Sequence, residues 1–220
     1  LMQKPIRVAP ANLFAGGPLR TFHRRKEMAM FIDYLTLMLV NMAAGLVILA
    51  DFVFRGLHTD DQKRWVPGFA AAGLVGLATG LHMIWTWPLP GPYNSAFGEM
   101  TVLLSVLFLG AALAIAKGWG FDALAIYAFF AGAAAIVLGA RIIDLKMTQK
   151  PLLTGIGFIL TGAAGVCVCP ALRLRKCPVF RSVAALVLVA AGGIWAWTAG
   201  HGLWGHMAGF AKWLPATMKP

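Results

Sequence analysis

Three histidines, three carboxylates and one amide stand inside or beside long apolar stretches of this 220-residue chain, where polar groups are costly and therefore informative. His82 sits near the end of one apolar run, with Thr79 and Trp85 three residues to either side, on its own helix face. His201 and His206 close the last apolar run, and Trp197 lies one turn before His201. Two neutral imidazoles from different helices, packed among Trp and Gly, could ligate the iron of haem b axially. A quinone could be held in the same place, with Trp85 and Tyr93 beside it. The plainer role for His82 is a hydrogen bond to a carbonyl or to Asp33 within a helix bundle. For His201 and His206 it is a place at the membrane interface.

Asp33 and Asp51 are eighteen residues apart, or five helical turns, so they share one face near the two ends of the first apolar run. Asn41 lies between them, rotated by roughly 80°. Together with His82 and Glu99, Asp33 and Asn41 could line a proton or cation path. The structural alternative is that Asp51 pairs with Arg55 four residues on, and Asp33 with the basic stretch before it. Paired carboxylates, a Ser/His/Asp set and a His/Glu metal motif at usable spacing are all missing, so catalysis by this chain alone is not expected. Cys167, Cys169 and Cys177 are odd in number and closely spaced, which fits free thiols better than a disulfide framework. No His or acid lies near enough to complete a zinc site with them.

The elements that position these residues follow from composition. The chain is 60% hydrophobic and 12% charged, with a mean hydropathy of +0.75. That leaves too little polar surface to cover a water-soluble globule. Its apolar residues arrive in blocks of about 20, the length that crosses roughly 30 Å of hydrocarbon as a helix. Backbone amides in lipid must be satisfied within the segment, so an all-α polytopic transmembrane bundle of about six spans is expected. The spans fall near 30–54, 66–87, 100–116, 121–143, 152–172 and 182–204. The third and fourth are separated only by a tight turn around Gly118. Gly73, Gly76 and Gly80 in the second span, Gly132 and Gly139 in the fourth, and Gly155, Gly162 and Gly165 in the fifth predict close helix packing. Discontinuous helices are not expected.

Three regions result: a basic arm over 1–29, the six-helix domain over 30–205 and a short tail over 206–220. The arm holds Lys4, Arg7, Arg20, Arg24, Arg25 and Lys26 against Glu27, and it suits anionic headgroups or a protein partner. The net charge of +11 sits mainly at membrane boundaries, which argues for the lipid bilayer as the partner and against nucleic acid. The charge count leaves the orientation open. The face bearing the N-terminus, here the first face, has the larger share of Lys and Arg only because of the arm. His82, His201, His206, Asp33, Glu99 and the loop 88–94 all belong to that first face.

Met30, Phe31, Ile32, Asp33 and Tyr34 open the first span, and Gly80, Leu81, His82 and Met83 precede Trp87, Pro88, Leu89, Pro90 and Gly91. Tyr93, Asn94, Phe97, Gly98 and Glu99 follow. In these residues the chain resembles an uncharacterised family of small prokaryotic integral membrane proteins, domain of unknown function 981, over roughly 30–175. The resemblance implies a six-span protein in a prokaryotic cell membrane, with the stretch from His82 to Glu99 as its functional surface. The arm and the cysteine-containing segment look like departures from the family. The function expected is that of a membrane subunit or accessory protein of a larger complex, structural or holding haem b or quinone at His82. A small proton- or cation-coupled transporter or channel is the alternative.

Overall fold

The computed structural model describes residues 34–209 and 211, and every regular element among them is helical. The basic arm, Asp33 and most of the tail lie outside the described residues. The α-helices are α1 (Leu35–Asp51), α2 (Val66–Thr86), α3 (Met100–Lys117), α4 (Asp122–Asp144), α5 (Pro151–Val166), α6 (Val168–Arg173) and α7 (Pro178–Gly209). A π-helical turn, Phe52–Gly56, continues α1, and another, Asn94–Glu99, leads into α3. Five helical stretches are long and apolar enough to cross a membrane: Leu35–Gly56, Lys63–Thr86, Asn94–Lys117, Asp122–Asp144 and Pro178–Gly209. The remaining apolar helix, α5, has 16 residues.

That short helix departs from the expected continuous span over 152–172. The chain leaves α5 at Cys167 and restarts as α6. Pro170 supplies the reason, since proline lacks an N–H and its ring clashes with the carbonyl four residues earlier, here that of Val166. The final helix runs longer than expected at both ends, beginning at Pro178 and carrying His206 inside it.

Short connections make sequence neighbours antiparallel, and the helices pack as a ring: α1 on α2, α2 on α3, α3 on α4, α4 on α5, α5 on α7, with α7 closing back on α1. The most extensive pair is α4 with α5 and the thinnest around the ring is α3 with α4. Between α3 and α4 the turn is closed by Gly118 in the left-handed region (φ 70°). The Trp119 amide donates to the Ala114 carbonyl at 2.8 Å, a Schellman closure that also satisfies the helix end.

Glycine sets the α4–α5 distance. A Cβ at Gly139 would stand 2.6 Å from the Gly155 carbonyl oxygen, and one at Gly165 2.8 Å from that of Ala128. A Cβ at Gly132 would overlap the Gly162 carbonyl. Aromatic rings knit other helices together. Phe52 meets Trp65, Phe69 and Phe121 edge-on, and Phe158 meets Trp195 edge-on at 4.9 Å. Trp195 is fully buried, and its indole N–H donates to the Thr161 hydroxyl at 3.1 Å, tying α7 to α5.

A methyl group at Gly132 has backbone on its far side and nothing flexible to push aside. Gly132→Ala is therefore expected to destabilise the bundle by about 1–3 kcal/mol, the cost of overpacking. Gly193, with open space around it, serves as the control: Gly193→Ala should be neutral or stabilising by up to about 1 kcal/mol. Thermal unfolding in one detergent compares the two, and equal effects would contradict the glycine-set spacing.

Candidate functional site

On the first face, α2 and α7 flank the opening turn of α1. His82 of α2 lies against Tyr34, ring edge to ring face at 5.2 Å between centroids, with Nδ1 3.1 Å from the Tyr34 hydroxyl. On the other side a Cβ at Gly202 of α7 would reach Thr36 of α1 at 3.0 Å. His201 follows Trp197, with the two rings 5.1 Å apart, and the Lys150 ammonium stands 5.9 Å over the same indole. His82, Trp85, Trp197 and His201 are exposed on the outside of the bundle, and Trp85 keeps 75% of its surface. His206 is half-buried further along α7.

The other expected site residues occupy separate places. Asn41 donates from its amide to the Ala72 carbonyl at 2.8 Å, linking α1 to α2 where Gly76 also leaves room for Ser105 of α3. This is a polar link between helices inside the apolar layer. Glu99 is exposed, and Tyr93 stacks on Phe97 at 6.5 Å. Asp51 is held by Arg55 at 3.0 Å and by the Trp65 indole N–H at 2.9 Å, the structural role that its spacing suggested. Among the described residues no three His, Cys, Asp or Glu side chains converge on a metal-sized site.

Reading the residues one by one missed the organiser of the loop after α2. Trp87 ends that helix in the left-handed region (φ 49°), and Gly91 repeats the excursion (φ 57°). The fully buried Asn94 closes the loop from within. Its Oδ1 accepts the Leu89 amide at 2.9 Å while its Nδ2 donates back to the Leu89 carbonyl. An amide is the side chain that offers a donor and an acceptor together, which is what a backbone N–H and C=O pair requires. The signal available in sequence was an Asn following a Pro- and Gly-rich loop at the mouth of an apolar helix.

Two cavities lie elsewhere. Inside the ring is an apolar one of about 160 Å³, lined by Phe52, Phe69, Phe108, Leu124, Phe158 and their neighbours from every helix. Among the described residues Thr161 is the one polar side chain in its wall, and its hydroxyl is already bonded to Trp195 and to the Gly157 carbonyl. A polar cavity of about 870 Å³ lies at the opposite face from His82, among the α1–α2 and α3–α4 connections and the end of α6. None of His82, His201, His206, Trp85, Tyr93, Asn41 and Glu99 lines either one.

A ring of apolar helices with an aromatic and histidine surface at one end and a cavity within defines a polytopic, all-α membrane protein. The chain belongs to the family described as "Protein of unknown function (DUF981)", whose model matches residues 28–209. That match runs past Arg175 to the end of α7, so the cysteine-containing segment is part of the family region, and most of the basic arm stays outside it. No curated protein and no solved structure matches the chain.

Removing the Asn94 amide leaves the Leu89 N–H and C=O without partners in a buried place. Asn94→Ala should lower stability by about 1–3 kcal/mol. It should also speed hydrogen exchange at the Leu89 amide, read by mass spectrometry of peptides from the loop. Unchanged exchange there would show that the amide does not hold the loop.

Proposed function

We propose that the chain is an integral membrane subunit or accessory protein of a larger membrane complex, docked through its first face. His82 is the residue through which it would hold haem b or quinone there. The observation that carries this reading is the setting of His82. Its Nδ1 faces the Tyr34 hydroxyl, as ligating histidines use one ring nitrogen to fix the orientation of the other. Among the described residues no hydrogen bond reaches its Nε2, on the exposed side of the bundle. A group bound there would be covered by lipid or by another subunit, since the described residues do not enclose it. Trp85, Trp197 and His201 extend the same outward surface, and exposed aromatics of this kind are what membrane interfaces and subunit contacts use.

The transport reading needs Asp33, Asn41, His82 and Glu99 along one path. Asn41 is engaged by the Ala72 carbonyl on the inside of the α1–α2 contact, whereas His82 and Glu99 are exposed. That separation favours the subunit reading.

The test is purification in mild detergent with partners retained, followed by a reduced-minus-oxidised visible spectrum and mass spectrometry of what co-purifies. The expected result is stoichiometric protein partners, with any haem b signal lost in His82→Ala and weakened in Tyr34→Phe. Partners without colour would assign the structural version. A solitary, colourless protein that conducts protons or cations in liposomes would overturn the proposal in favour of transport.

A further inference from the structure

The two cavities adjoin. The apolar one inside the ring and the polar one at the second face, opposite His82, share Leu57, Phe121 and Leu172 in their walls. The polar mouth is basic: Lys63, Lys117, Arg173 and Arg175 line it against Asp60 and Asp122. Among the described residues the ion pairs are Arg55 with Asp51 and Arg141 with Asp144, so none of these four cations is in an ion pair with a described carboxylate. Beyond the shared residues the wall changes from guanidinium and ammonium groups on one side to Phe52, Phe69 and Leu124 on the other.

We propose that these adjoining cavities together form a binding site for a single-chain anionic amphiphile, with a phosphate or carboxylate head in the basic mouth and an acyl or isoprenoid tail passing Leu57, Phe121 and Leu172 into the apolar chamber. Charge decides the head. An anion gains from a rim that carries four cations against two carboxylates, where a neutral head gains little. Size decides the tail. A dry chamber of about 150 Å³ lined by Leu, Ile and Phe takes a benzene-sized guest, so this one takes the end of one chain and not a pair. Its route to lipid is the thinnest seam in the ring, between α3 and α4, whose residues Leu103, Leu107, Leu124 and Ala131 line the chamber. Trp119, 60% exposed beside the mouth, suits the headgroup level at which such a head would enter. This site is independent of the reading given to His82, which lies at the other end of α2.

The experiment is displacement of a fluorescent polyene fatty acid from the full-length protein in non-ionic detergent. The competitors are a long-chain alkyl phosphate, a long-chain fatty acid, the matching alcohol and inorganic phosphate. The two amphiphilic anions are expected to displace the probe, at least tenfold better than the alcohol, and less well as salt rises. Preference between the two assigns the head as phosphate or carboxylate. The exposed double variant Lys117→Glu, Arg173→Glu should weaken anion binding about tenfold with the melting temperature unchanged. Ala131→Phe, which fills the chamber, should abolish displaceable probe binding. If that variant melts early, the charge variant alone decides. Displacement by the alcohol as good as by the anions, or by inorganic phosphate alone, would overturn the proposal, as would a charge variant that binds like the wild type.

Discussion

Helices surrounded by lipid tails gain almost nothing from hiding apolar side chains against one another, so this bundle depends on how closely its backbones can approach. Glycine decides that at α4 and α5, where Gly132, Gly139, Gly155, Gly162 and Gly165 bring carbonyl oxygens to within the space a methyl group would need. Dispersion between surfaces in contact then supplies what burial from water would supply in a soluble protein. Around the rest of the ring single polar links do the complementary work: Asn41 to Ala72, Trp65 to Asp51, Trp195 to Thr161. Each joins two helices, and each satisfies a group that lipid could not.

The same rule explains why the ring is uneven. Leu103 and Leu107 of α3 line the chamber, and the space beside Gly110 of α3 is filled by Leu124 of α4. Side-chain bulk at this contact goes with the thinnest pairing around the ring, although only a short turn at Gly118 joins the two helices. The seam they leave and the chamber behind it are one consequence of where glycine was and was not used.

Much of this was legible in sequence, because apolar blocks of membrane length and glycines at helical spacing are both written along one dimension. The helix class, the boundaries near Val66 and Met100, the Asp51–Arg55 pair and the glycine contacts follow from those two patterns. The break at Cys167 was equally written, in Pro170, but the apolar run continues through it and hides the missing hydrogen bond. What one dimension does not carry is which helices become neighbours at a distance. The outward setting of His82 depends on Tyr34, 48 residues away, and the paired cavities depend on three connections far apart in the chain. Asn94 was visible as a loop residue, while its double bond to Leu89 required the fold.

The lengths of α5 and α7 differ by a factor of two, 16 residues against 32, or about 24 Å against about 48 Å of rise. The two helices are neighbours, and α5 by itself falls short of a hydrocarbon layer of roughly 30 Å, while α7 overshoots it with ends that carry Arg181, His201 and His206. An apolar stretch shorter than the layer is met by local thinning of the bilayer or by association with a neighbour, a modest cost for each ångström.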